Sequence, residues 1–401
     1  MYTFQCVYTY TMAPILALFC DGSWCGDVAG TTSNIKILAN CVAGVDVSNS
    51  MPHTRDDGTA VVRYFDGVGL TGSFRDYLFN GAVANDIKSK CVEAYKFIVE
   101  NYKKGSDVWV FGLSRGAHTV RSVAGMINNW GIIDVDKTEH VDSLCDTVYN
   151  NYRSRDPEYG PKAGYATRFK ERYCQPAIKP SIRFMGLLDT VGALGVPSVD
   201  AGIGLSYEFY DQVVSSEVQH VYQALATHDR LSVFTPCFVR RSAELDGYTT
   251  VEAWFPGAHY DVGHQRFVFP RNVGVVEGAL SRLNDRLNVM GLNIRPTDGY
   301  SMLVLKWMMD CMSRHSDDIF RDTLTDRYFR RPRRLLRREL SIDAYDKLSD
   351  RFFAILSPFS GILLKDRDIP LYRPAEFIGY DFTGRFKSKS YTNYQNAYFD
   401  L

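Results

Sequence analysis

The chain carries no net charge of either sign, with 46 Lys and Arg residues balancing 46 Asp and Glu. No global field therefore draws it to nucleic acid or to an acidic surface, and any polyanion contact has to come from a local patch. It has no uninterrupted apolar run of membrane-spanning length, no internal repeat and no low-complexity tail. Its nine cysteines are an odd number, scattered without paired or metal-type spacing. A disulfide framework is not expected, and a reducing, cytoplasmic setting is. The apolar stretch from Met12 to Cys20 lacks the basic leader of a secretory signal and runs directly into Asp21-Gly22-Ser23-Trp24. Ile15 to Cys20 reads instead as a first core strand.

What is present is sharper. Val108-Trp109-Val110-Phe111-Gly112-Leu113-Ser114-Arg115-Gly116-Ala117 is an apolar run that breaks into Gly-x-Ser-x-Gly and then into helical spacing at Ala117, Val120, Val123, Ala124 and Ile127. This is the pattern of a nucleophile elbow: a strand turning sharply into a helix, with glycines where no side chain fits and the serine presented at the sheet edge. Upstream, Asn34 to Cys41 reads as a helix and Thr59 to Phe65 as a strand ending at Asp66-Gly67. Ile87, Cys91, Ala94, Tyr95, Ile98 and Tyr102 then share one helical face. Alternating strands and helices of this kind predict a mostly parallel α/β sheet with helices on both faces, and a site beyond the carboxyl ends of the strands.

From Asp134 to Pro180 the pattern loosens into a polar, tyrosine-rich insertion, expected to pack over the site. The core resumes at Ile182 to Leu188, a strand ending in Asp189, and Val251 to Phe255 breaks at Pro256-Gly257 to deliver His259. Residues 1–300 are expected to form the catalytic core with the insertion at 134–180, and residues 301–401 a helical region packed on the same domain.

A serine hydroxyl is a weak nucleophile at neutral pH, and it needs an imidazole to take its proton and a carboxylate to orient that imidazole. Ser114, Asp189 and His259 supply these groups in the order Ser, Asp, His, each just after a predicted strand. The backbone amides of Arg115 and of Gly22 or Ser23 are the expected oxyanion donors. Asp21 is expected to brace its loop. Asp261, the rival acid, lies two residues from His259 and is expected to brace that loop too. His118, His220 and His228 are expected to be structural or surface residues.

Five segments now align with a known family: Phe19 to Trp24, Asp66 to Gly69, Phe111 to Ala117, Gly186 to Gly192, and Trp254 to Gly263. In this order they resemble the α/β-hydrolase family of long-unassigned function that includes the phospholipase effectors of bacterial type VI secretion. The resemblance covers most of residues 15 to 310. It implies a Ser-Asp-His hydrolase without a cofactor, with the roles on Ser114, Asp189 and His259, and carboxylic esters of lipids as substrates. The chain departs from the family at His264-Gln265, where further glycines are usual, and at Gln223 to Arg230, which matches an acidic and basic pattern only in part.

Two other classes remain open on the sequence. His259, Asp261 and His264, with Asp21 and Asp66, could be ligands of a hydrolytic metal centre, although His-x-Asp-x-x-His is a weak ligand spacing. A non-catalytic binding module on a hydrolase scaffold is the other. The densest charge run comprises Arg327, Arg330, Arg331, Arg333, Arg334, Arg337 and Arg338, interleaved with Tyr328, Phe329, Leu335 and Leu336. It is either a solvated face or a docking patch for anionic lipid head groups. No nucleic-acid-binding fold accompanies it.

Overall fold

The structure is a computed structural model that describes residues 14–23, 25, 32–47, 51–67, 82–176, 178–192, 213–227, 229, 234–241, 245–268, 293–320 and 376–377. In chain order the elements are β1 (Ile15–Cys20), α1 (Asn34–Ala43), β2 (His53–Thr54), β3 (Ala60–Phe65), α2 (Ala82–Asn101), β4 (Asp107–Leu113) and α3 (Arg115–Trp130). There follow α4 (Val141–Arg153), α5 (Gly164–Tyr173), β5 (Ile182–Leu188), β6 (Val218–Ala226), β7 (Thr249–Phe255), α6 (His259–Gly263), β8 (Phe267–Val268), β9 (Asn293–Ile294), α7 (Asp298–Ser313) and β10 (Glu376–Phe377).

Eight strands form one sheet in the order β10-β7-β6-β5-β4-β1-β3-β2, in which only β2 runs antiparallel. The chain leaves β1 toward β3, then crosses back to β4 on the other side and continues to β7. The strand order therefore reverses between β1 and β4, and a crevice opens at their carboxyl ends, where Asp21 and Ser114 follow. Strand β6 is not evident from sequence because Gln219, His220 and Gln223 interrupt its apolar pattern. Gln223 is fully buried, and hydrogen bonds to Thr190, Cys237 and Glu252 satisfy its amide.

Two apolar layers flank the sheet. On one face Phe19 stacks on Phe111 at 4.6 Å, Trp109 on Phe184 at 4.9 Å, and Phe184 on Tyr222 at 5.3 Å. Helices α1 and α7 cover this row, the latter through Tyr300, Val304, Trp307 and Met308. Ser33 caps α1 by accepting the Lys36 amide, and Gly44 ends the helix in the left-handed conformation. On the other face lie α2 and α3, with Cys91, Ala94, Tyr95 and Ile98 against Val120, Val123 and Ile127. Each fully buried valine or isoleucine among them contributes roughly 1.5–3 kcal/mol.

The insertion packs elsewhere than over the site. Tyr152 lies against Gly125, where an added Cβ would come within 2.6 Å of the ring, and Tyr159, Tyr165 and Phe169 surround Trp130. Gly125 is already roughly 16 Å along α3 from Ser114 at the helical rise of 1.5 Å per residue. The tyrosines seen in the sequence thus pack the far half of the elbow helix. Beyond α7 the expected helical region includes a short strand, β10, paired with β7. The arginine run from Arg327 to Arg338 lies outside the described residues, as do Trp24, His228 and Arg230. Among the described residues no helix is long and apolar enough to cross a membrane.

Candidate active site

Ser114 has φ 56° and ψ −120°, a conformation that a non-glycine residue adopts only where its surroundings impose it. The surroundings here are backbone. A Cβ on Gly112 would come within 2.5 Å of Ala117 Cα, and one on Gly116 within 2.1 Å of the Cys20 carbonyl. The elbow helix is therefore pressed onto the ends of β4 and β1, as the two glycines allow. The Ser114 amide donates to the Leu188 carbonyl at 2.9 Å, which sets it beside Asp189 on the neighbouring strand.

Asp189 also has a positive φ, 44°. Its amide donates to the Ala224 carbonyl at 2.8 Å, and its Oδ1 accepts the Ala226 amide at 3.1 Å. Its Oδ2 lies 2.6 Å from Nδ1 of His259. A carboxylate can only accept, so Nδ1 carries a proton and donates it to Asp189, which leaves the other ring nitrogen, Nε2, outside that bond. Nε2 is buried and makes no hydrogen bond among the described residues. Ser114, Asp189 and His259 are each 1% exposed or less.

Asp261 does something different. Its Oδ2 accepts the Ala258 amide at 2.7 Å and its Oδ1 the Thr297 amide at 2.7 Å, so it ties α6 to the start of α7. His264, in the left-handed conformation, bonds the Thr32 carbonyl through Nδ1 at 2.7 Å and Asp298 through Nε2 at 3.0 Å. The ligand set His259, Asp261 and His264 is therefore not assembled, because these side chains diverge onto separate partners. Among the described residues no group of three or more His, Cys, Asp or Glu is placed to hold a metal ion.

The loop after β1 is held by Asp21. Its Oδ2 accepts the hydroxyls of Ser33 at 2.5 Å and Tyr64 at 2.6 Å, and its Oδ1 the Gly22 amide at 2.7 Å. Burial pushes its carboxyl up to about 6, against these hydrogen bonds and with the help of nearby Asp66. Since Asp21 takes the Gly22 amide, Gly22 is withdrawn from the expected oxyanion donors, and Ser23 remains. Arg115 Nε donates to Ser23 Oγ, coupling this loop to the elbow. The Arg115 amide stands in the first turn of α3, where helix geometry supplies no acceptor. Gly67 packs directly on Gly22. Gln265 is buried against Gly22 and Gly263, and its Nε2 donates to Cys25 Sγ at 3.2 Å. Burial pushes the nearby thiols of Cys20 and Cys25 well up, which keeps both protonated and weakly reactive.

His118 is buried in α3, its pKa lowered to about 3 by burial and by Arg121 and Arg153, in keeping with a structural role. Two residues that sequence reasoning missed touch His259. Asp229 Oδ2 accepts its backbone amide at 2.8 Å, and the Phe234 ring stacks on its imidazole at 4.3 Å. The only sequence signal was the partial match around Gln223 to Arg230.

Residues 15–311 match the family described as T6SS, phospholipase effector Tle1-like, catalytic domain. An uncharacterized protein of Saccharomyces cerevisiae, YEL023C, is 29% identical over 129 residues, a stretch that covers 32% of this chain and 19% of the yeast protein. Among solved structures, the Tle1 effector bound to the VgrG spike of the type 6 secretion system is 14% identical, with 90% of this chain and 82% of that chain covered and a TM-score of 0.37. An uncharacterized protein from Pseudomonas aeruginosa is 12% identical, with 87% and 50% covered and a TM-score of 0.40. On the match over residues 15–311, the chain belongs to the Tle1-like phospholipase effector catalytic-domain family.

Proposed function

We propose that the protein is a serine esterase that cleaves carboxylic acyl esters of lipids, phospholipids included, through an acyl-enzyme. Ser114 attacks the ester carbonyl, His259 takes its proton at Nε2 and returns it to the leaving alcohol, and Asp189 holds the imidazole. The amides of Arg115 and Ser23 receive the oxyanion. Water then attacks the acyl-enzyme with His259 again as base, releasing the carboxylic acid. The observation that carries this reading is the 2.6 Å contact between Asp189 and His259, with Asp189 at the end of the strand next to an elbow serine held at φ 56°.

The test is labelling with a fluorophosphonate ester, mapped by mass on wild type and Ser114→Ala. A single adduct on Ser114, absent in the variant, is the expected result. Folded protein that takes no label would favour a binding module instead. The arginine run from Arg327 to Arg338 belongs to the same proposal, as a docking patch for anionic lipid. It calls for salt-sensitive binding to anionic vesicles, lost in Arg333→Glu/Arg334→Glu.

A further inference from the structure

We infer that Asp229 and Phe234, beyond the end of β6, clamp His259 as positioning residues. This rests on the serine-esterase reading above and extends it to residues outside the five segments that carry the resemblance. The need for a clamp follows from the helix that carries His259. Helix α6 is five residues long, too short to hold its own geometry by cooperative backbone hydrogen bonding. A base that must keep its Nε2 aimed at a serine needs its ring fixed to within roughly 10–20°.

Two contacts supply this. Asp229 is buried, and its Oδ2 accepts the His259 amide, anchoring the first backbone donor of α6. The Phe234 ring lies nearly parallel to the imidazole, with 11° between planes. Stacking at this distance blocks rotation of the imidazole. The negative face of the phenyl ring also favours the imidazolium that exists only while His259 holds the Ser114 proton.

The clamp is itself tied to the elements that carry the other site residues. The Cys237 amide donates to the Thr190 carbonyl at 2.8 Å, next to Asp189. Arg121 of the elbow helix donates to the carbonyls of Cys237 at 2.9 Å and Phe238 at 3.2 Å. Gln223 of β6 donates to the Cys237 carbonyl and to Glu252 of β7, and Glu252 accepts the Val239 amide at 2.6 Å. The position of Phe234 is thus referenced to the strands and helix that present Ser114, Asp189 and His259.

The experiment measures kcat and KM on p-nitrophenyl butyrate, and the rate of fluorophosphonate labelling, for wild type, Phe234→Leu, Phe234→Tyr, Asp229→Ala and Asp229→Asn, with thermal unfolding of each. Phe234→Leu should lower kcat and the labelling rate about tenfold with KM changed less than about twofold, while Phe234→Tyr, which keeps the ring face, stays within about twofold of wild type. Asp229→Ala should fall in the same way, and Asp229→Asn, whose amide oxygen still accepts the His259 amide, should recover most of the loss. If Phe234→Leu does not fold, Phe234→Met provides similar volume without the ring. A leucine or methionine variant as fast as wild type, a loss confined to KM, or a tyrosine variant no better than leucine overturns the clamp while leaving the Ser114 mechanism standing. Wild-type protein that neither labels nor turns over overturns both.

Discussion

Asp189 reaches His259 Nδ1 with one carboxylate oxygen and holds the Ala226 amide with the other, so a single buried side chain fixes the imidazole and the end of the neighbouring strand together. An amide in its place would keep the shape but lose the acceptor-only character that puts the proton on Nδ1. Asp189→Asn should therefore lower kcat on a p-nitrophenyl ester by about 10³- to 10⁴-fold, with near-normal binding of substrate. Asp261→Asn should cost stability through the Ala258 and Thr297 amides and lower kcat by less than about tenfold. Steady-state kinetics with thermal unfolding on both variants decide the matter, and the reverse ranking would transfer the acid role to Asp261.

The elbow also makes a prediction about folding rather than chemistry. A methyl group on Gly116 would meet the Cys20 and Asp21 carbonyls, at 2.1 and 2.5 Å, and neither can swing aside as a flexible side chain would. Gly116→Ala should destabilise the protein by about 3 kcal/mol or more, at the upper end of overpacking costs. Gly58→Ala is a useful contrast, because nothing lies within 4 Å of that position and only its positive φ, 69°, opposes the change. Urea unfolding of the two variants should show the larger loss at Gly116.

Much of this site was legible because the sheet is regular. The runs Ile15 to Cys20, Val108 to Leu113, Ile182 to Leu188 and Val251 to Phe255 are strands largely buried on both faces, so each announces itself as an apolar segment, and each is followed by a candidate site residue. Strand β6 was not legible, because its buried polar residues are satisfied by partners distant in sequence, Thr190 and Glu252 among them. The withdrawal of Gly22 from the oxyanion donors was hidden as well, since it depends on which way the Asp21 carboxylate turns. The insertion was misplaced for a similar reason: tyrosine-rich composition says that rings will pack, not that Trp130 and Gly125 receive them.

His264 separates the metal-centre alternative from the hydrolase reading by a substitution. Its two ring nitrogens join Thr32 to Asp298, which makes it a tie between the start of α1 and the start of α7. His264→Ala should lower the unfolding temperature while leaving kcat within a few-fold of wild type, since neither partner belongs to the proposed chemistry. Activity should also survive incubation with EDTA. Loss of activity on chelation, restored by a divalent ion, would revive a metal-dependent mechanism.

Asp21 makes stability depend on pH in a direction opposite to that of most carboxylates. Its folded-state pKa is raised, to about 6 from an ordinary 3.8, because burial penalises the charge more than three hydrogen bonds favour it. Between those two values the native state holds a proton that the unfolded chain has lost, so stability falls as pH rises through the window and the full penalty is present above about 6. A rise of this size corresponds to a penalty on the order of 3 kcal/mol. Asp21→Asn removes the titration at the cost of one acceptor for Ser33 and Tyr64. The quantity to measure is the difference in unfolding free energy between wild type and Asp21→Asn, by urea titration at pH 4.5 and at pH 7.5. Wild type should lose ground to the variant on going to the higher pH, and a difference that stays constant or changes in the opposite sense would mean that Asp21 is ionised in the folded protein at both values. Because the same carboxylate holds the Gly22 amide beside Ser23, protonation that loosened this contact would also shift ester turnover below pH 6, a change that Asp21→Asn should abolish.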